Sequence, residues 1–160
     1  MTFFEWKPEM SVGIDTIDAD HQLLIELINE LASHTEAAYG AGSAAADDYT
    51  LIGQIFDSLN RYIRLHFQRE ERVLTAVNYK DLDSHRSLHS NFVAEIARLQ
   101  LDYYKNHDSK VPLKLCQYLK NWLNNHILID DMAYKREVSS NPEAQRIAAA
   151  LEPIRRAKGS

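Results

Sequence analysis

Cysteine is almost missing from this chain: Cys116 stands alone among 160 residues. No internal disulfide can form, so the fold is not a disulfide scaffold. A reactive thiol needs an exposed, electropositive setting, whereas Cys116 sits in an apolar helical stretch and reads as a small core residue. Free-thiol usage of this kind fits a reducing cytoplasm, which is the expected location. Excess positive charge is also missing. The net charge is −5 and the pI about 5.8, which argues against nucleic acid or an anionic membrane as a partner. No apolar run approaches the ~20 residues of a membrane span. The opening MTFFEWKPEM has no basic segment leading into an apolar one, so no signal peptide is expected.

Glycine and proline are scarce too, at five and four residues. Few breakers mean long unbroken segments, and those segments repeat at three and four residues, the helical period. An N-terminal arm over residues 1–16 carries Phe3, Phe4 and Trp6, with Pro8 and Gly13 blocking regular structure. Helix one is expected over 19–39, with the stripe Ile17, His21, Leu24, Ile28, Leu31 and with Asp18 or Asp20 as its N-cap. The small-residue stretch GAGSAAADD at 40–48 reads as a loop. Helix two is expected over 48–77, and helix three over 84–105, capped by Ser84, with the stripe His85, His89, Phe92, Ile96, Leu99, Tyr103. Helix four is expected over 112–135, with Leu115, Leu119, Trp122 and His126 on its stripe. The result is an all-α fold, an antiparallel four-helix bundle with an N-terminal arm. Asn141-Pro142 reads as the start of a short C-terminal helix, with Ile147, Leu151 and Ile154 as its apolar edge. The expected division is a bundle over 1–135 and an extension over 136–160.

Helix two poses the functional question. Its apolar positions Ile52, Ile55, Leu59 and Ile63 resume at Val73 and Val77, and the count through the gap lands on His66 and Glu70. An imidazole and a carboxylate without partners in a core cost a few kcal/mol or more. One stripe histidine is usually a satisfied core residue. Here every helix has at least one: His21, His66, His85 with His89, and His126, five of the seven histidines in the chain. Glu70 accompanies His66, and Asp130 or Asp131 follows His126. Pairs four residues apart share one helix face, and facing helices of a bundle converge such donors on a metal site. His34 and His107 fall off the stripes and read as solvated.

With no thiolate available, structural zinc is disfavoured. Imidazole with carboxylate suits iron, and also zinc, copper or manganese. Five imidazoles and two carboxylates exceed what one ion accepts. Two bridging carboxylates and five imidazoles supply nine bonds, and a bridging oxide or hydroxide supplies two more. Two octahedral ions offer about twelve positions, so one stays open for a small ligand.

The stretches IDADHQLL at 17–24, HFQREE at 66–71, the H-x-x-x-H of 85–89 and WLNNHILIDDMAY at 122–134 together resemble the hemerythrin family, most closely its single-domain bacterial forms, the bacteriohemerythrins. The resemblance covers about residues 3–135, with Trp6 and the VGI of 12–14 matching the family's arm. It implies two non-haem irons joined by an oxo or hydroxo bridge. His85, His89 and His126 would bind one iron and His21 and His66 the other, with Glu70 and Asp131 bridging. It implies reversible O2 binding at the two-His iron, where O2 is held as hydroperoxide bonded to the bridge. Leu123 and Trp122 would line a dry pocket there. On a straight α-helix Asp130 shares the face of His126, while Asp131 lies about 140° away. The family's H-x-x-x-x-D spacing selects Asp131, which requires a local widening such as a π-bulge. Leu74 and Lys80 depart from the family's common Met and Pro, at positions that supply no ligand. Glu71 reads as a surface acid or one behind a ligand. Tyr62, Tyr103, Tyr118 and Tyr134 read as core or rim residues, one of which could hydrogen-bond a ligand carboxylate. The leading function is oxygen transport, storage or delivery, without enzymatic turnover. A sensor signalling to a protein partner through residues 136–160 is the alternative. A di-iron oxidase or peroxidase ranks lower, because those sites favour carboxylates and Glu-x-x-His spacing.

Overall fold

The computed structural model describes residues 3–40 and 49–155 and contains helices and no strand among them. Helix α1 spans Asp15–Gly40, α2 Tyr49–Ala76, α3 Leu82–Tyr104 and α4 Val111–Asn125. A π-helical segment, His126–Asp131, carries α4 onward into α5, Met132–Val138, and α6 follows at Pro142–Ala150. Helix α1 packs on α2 and α4, and α3 packs on the same two, so the four long helices form a square bundle. Most of the small-residue stretch expected as a loop, 41–48, lies outside the described residues. No helix among the described residues is long and apolar enough to cross a membrane.

The helix starts differ from expectation for local reasons. Helix α1 begins at Asp15, four residues early, so Asp18 and Asp20 lie inside it. Asp18 instead accepts hydrogen bonds from the Val12 N–H at 2.9 Å and the Ser11 hydroxyl at 2.5 Å, tying down the arm. Asp20 turns into the core. Helix α3 begins at Leu82 after a turn in which Asn78 takes φ 52°, and Ser84 therefore sits within its first turn rather than capping it. The Asn141 side chain does cap α6, accepting from the Glu143 and Ala144 N–H groups.

Two apolar clusters fill the interior. One gathers Leu24, Leu27, Ile28 and Leu31 with Ile55, Phe56, Leu59, Phe92, Ile96, Leu119 and Leu123. The other gathers Val12, Ile14, Ile17, Val73, Leu74, Tyr134, Val138, Ala144 and Ala148. On each long helix the polar residues fall between the two. On α1, His21 lies between Ile17 and Leu24; on α2, His66 and Glu70 lie between Tyr62 and Val73. On the α4 rod, His126 and Asp131 lie between Leu123 and Tyr134. A buried polar layer thus crosses the bundle between two apolar ones.

The arm lies along α1: Phe4 exchanges two backbone hydrogen bonds with the Asn29 side chain, each 2.8 Å. Gly13, at φ 78°, passes so near Ser139 that an added Cβ would meet the serine Cβ at 2.6 Å, and the Gln145 amide bridges the Gly13 and Ser139 carbonyls. Helix α6 packs on α2. Its fully buried residues are Ala144 and Ala148, while the expected edge of Ile147, Leu151 and Ile154 is only partly covered. Alanine has no bulk to hold two helices apart, so α6 comes close to α2.

Candidate metal centre

All seven proposed donors, His21, His66, Glu70, His85, His89, His126 and Asp131, are buried. Donor atoms of Glu70, His85, His89 and His126 lie within 4.8 Å of one another. Glu70 Oε2 faces His89 Nε2 at 2.9 Å, His85 Nε2 at 3.2 Å, His66 Nε2 at 3.7 Å and His126 Nε2 at 3.9 Å. Asp131 divides its oxygens: Oδ2 is 3.1 Å from His21 Nε2, while Oδ1 is 3.1 Å from His126 Nε2 and 3.5 Å from His85 Nε2.

The π-helical segment decides between the two aspartates. It begins at His126 and ends at Asp131, and a π-turn brings residues i and i+5 into register, as an α-turn does i and i+4. Asp131 therefore points inward with His126. Asp130 is partly exposed and lies 3.4 Å from His126 Nδ1, the nitrogen on the outer side of the ring.

These groups fit a cation. The Nε2 atoms of all five imidazoles, Glu70 Oε2 and both Asp131 oxygens are buried without a hydrogen-bond partner. Each such group costs about 1–3 kcal/mol when left unsatisfied, and positive charge bound among them would satisfy them. The donors are nitrogen and oxygen only, a set that suits iron, zinc, copper or manganese. The electrostatics agree. Burial pushes both carboxylates up, but at Glu70 the facing imidazoles His126, His85 and His89 outweigh it and hold the group well below its usual range. Asp131, buried and facing the charge of Glu70, is pushed up to about 8. Burial lowers His21 to about 4. Burial also lowers His126, but the carboxylates of Asp131, Asp130 and Glu70 prevail and raise it to about 10.

The sequence model of the hemerythrin HHE cation binding domain matches residues 12–138. The chain belongs to the hemerythrin family. It is 29% identical over 141 residues to the bacteriohemerythrin of Stenotrophomonas maltophilia, covering 88% of this chain and 85% of that one. It is 28% identical over 131 residues to the bacteriohemerythrin of Clostridium acetobutylicum, covering 82% and 98%. A hemerythrin-like protein of Naegleria gruberi is 28% identical over 132 residues, covering 82% and 91%.

In this hemerythrin-family site the outer nitrogens of two imidazoles are also engaged. His66 Nδ1 meets Asp20 Oδ2 at 3.0 Å, and His89 Nδ1 meets Glu71 Oε1 at 2.8 Å. A carboxylate can only accept here, so Nδ1 carries the proton and Nε2 presents its lone pair inward. Carboxylates behind metal-bound histidines orient them in this way. The Tyr134 hydroxyl donates to Glu70 Oε1. Aromatic faces fix the rings: Phe67 stacks on His89 at 3.8 Å between centroids and Trp122 on His126 at 4.2 Å. Trp122 is partly buried beside the donors, and Leu123 is fully buried in the apolar cluster next to them. His34 and His107 are exposed, apart from the centre.

Helical stripes alone do not announce Asp20 and Arg69 as members of this site. Arg69 is fully buried and pairs with Asp20. A signal for its burial exists: Ile55, Leu59, Tyr62, His66, Arg69 and Val73 follow one three-and-four stripe, all buried. Following Ile63, which is only partly buried, obscures that stripe.

Proposed function

We propose that the chain holds two iron ions among these seven residues and binds O2 reversibly, as a carrier, store or delivery protein in the cytoplasm. His85, His89 and His126 are assigned to one iron, His21 and His66 to the other, and Glu70 and Asp131 to both. The observation that carries this reading is the divided aspartate: one Asp131 oxygen faces His21 and the other faces His126 and His85. A carboxylate placed between two histidine sets suits a pair of ions better than one. Family membership supports iron over the other metals that the donors accept.

Iron held by these residues would supply the redox chemistry for reversible O2 binding. The chain's own residues set the surroundings. Asp20 and Glu71 orient His66 and His89. The Tyr134 hydroxyl holds Glu70. Leu123 and Trp122 are assigned to the wall of the O2 pocket, where apolar side chains keep water and acids away from the ligand.

The test is direct. The protein is loaded anaerobically with ferrous iron, exposed to air, then flushed with argon, through several cycles. The expected result is two irons per chain, the occupancy that seven donors suit, with a visible absorption that appears with O2 and disappears without it. One ion per chain, or zinc taken up in preference to ample iron, overturns the di-iron reading. Consumption of O2 without release overturns carriage in favour of an oxidase.

A further inference from the structure

We propose that Arg69 is a positioning residue that ties helix α6 to His66 through Asp20, making the C-terminal segment a lever on one half of the metal centre. The proposal rests on the reading of His66 as an iron ligand. Arg69 reaches in two directions. Its Nη1 donates to Asp20 Oδ2, the same oxygen that accepts the proton of His66 Nδ1. On the other side Nε donates to the Ala148 carbonyl at 3.1 Å, and Nη2 to the carbonyls of Leu151 at 3.3 Å and Glu152 at 2.5 Å. Ala148 lies in the last turn of α6. Carbonyls there have no helical partner, and the helix dipole favours a cation beside them. Arg69 therefore acts as the C-terminal cap of α6 and as the counter-ion of a buried aspartate.

The outer nitrogens of the other engaged imidazoles have no such route. Glu71 behind His89 pairs with Arg86, whose side chain is about half exposed, and Asp130 behind His126 is itself partly exposed. Among the described residues, the Asp20–His66 pair is the one closed off by hydrogen bonds to the tail. If α6 moves off α2, Arg69 loses three acceptors, Asp20 loses its fixed cation, and the His66 ring loses the bond that sets its tautomer and angle. A protein that grips residues 142–155 would thereby reach the centre without touching it.

The test uses the full chain with Arg69→Met, Arg69→Lys and Ala148→Glu, the last placing a carboxylate where α6 packs tightest. The first readout is nitrogen-15 histidine NMR on chelator-treated protein, following exchange of the His66 Nδ1 proton with water, identified by its absence in His66→Gln. Arg69→Met and Ala148→Glu are each expected to speed that exchange roughly tenfold, the effect of losing one net hydrogen bond, with the His89 Nδ1 proton unchanged. Arg69→Lys should fall between, since lysine restores the charge but not the planar fork. The second readout is iron affinity by chelator competition, expected to drop about 10- to 100-fold in Arg69→Met, as for other groups behind a ligand histidine. Unchanged His66 exchange in both Arg69→Met and Ala148→Glu overturns the proposal. So does equal acceleration at His66 and His89, which would mean general loosening. If Arg69→Met does not fold, Ala148→Glu and Arg69→Lys decide. If the unaltered chain takes up no iron, the di-iron reading fails, and the exchange experiment still decides whether the tail controls His66.

Discussion

Tyr134→Phe isolates a single bond at the centre. The ring of Tyr134 is fully buried, 6.1 Å from Tyr79 and 5.6 Å from His85 between centroids, and phenylalanine keeps those contacts. Only the hydroxyl that donates to Glu70 Oε1 is lost. A hydrogen bond to a charged group contributes about 1.5–3 kcal/mol. Glu70 is held well below its usual range by the imidazoles around it, so it is charged at neutral pH and the upper part of that interval applies. At roughly 2–4 °C per kcal/mol for a chain near this size, about 2–3 kcal/mol should lower the melting temperature of chelator-treated protein by about 4–12 °C. With iron bound the fall should be smaller on the proposed assignment, in which Glu70 would bridge the ions and Oε1 would gain a second partner. Thermal denaturation of both proteins, followed by far-ultraviolet circular dichroism with and without iron, measures the two differences. Equal melting temperatures without iron would refute the claim that the tyrosine holds the carboxylate. An equal loss with and without iron would refute the claim that Oε1 takes part in binding metal.

Two further substitutions examine the assignments at the end of α4. Asp131→Asn should abolish the paired site, while Asp130→Asn should keep both irons with affinity reduced by less than about tenfold, the lower edge for a carboxylate behind a ligand; metal analysis that reverses this order would overturn the π-turn argument. Leu123→Asn should cost about 1–3 kcal/mol of stability, the range for a buried polar group without partners, and should speed conversion of the O2-loaded protein to the ferric form by admitting water. Equal decay of the visible absorption at one pH, with iron content retained, would remove Leu123 from the pocket.

The parts of the site that follow a helical period are legible in the sequence, and the parts that depart from it are not. His21, His66, Glu70, His85, His89 and His126 occupy stripe positions, where a polar residue among apolar ones stands out from spacing alone. Asp131 is different. Its spacing from His126 puts it off the face of an α-helix, and only the family's pattern selects it. The π-helical segment supplies the missing physics by widening one turn. Asp20 has the look of a cap because aspartate near a helix start usually is one. The helix in fact begins at Asp15, which leaves Asp20 inside and facing His66. The docking of α6 is hidden for another reason. Its buried residues are alanines, whose small side chains leave little apolar signal, whereas the more conspicuous Ile147 and Leu151 are only partly covered.

Arg69 unites these hidden features. A charged residue in a core needs its countercharge and its hydrogen bonds together, and here they come from three parts of the chain: α1 through Asp20, α6 through Ala148, and the segment after α6 through Leu151 and Glu152. None of these is near Arg69 in sequence, so no local pattern could pair them. The bundle itself can form from its two apolar clusters. The buried arginine adds a dependence that packing alone does not require: the aspartate behind a proposed iron ligand has its positive partner in place only while the tail is docked. Stability and metal chemistry are therefore joined at one guanidinium, on the side of the centre assigned to the two-histidine iron.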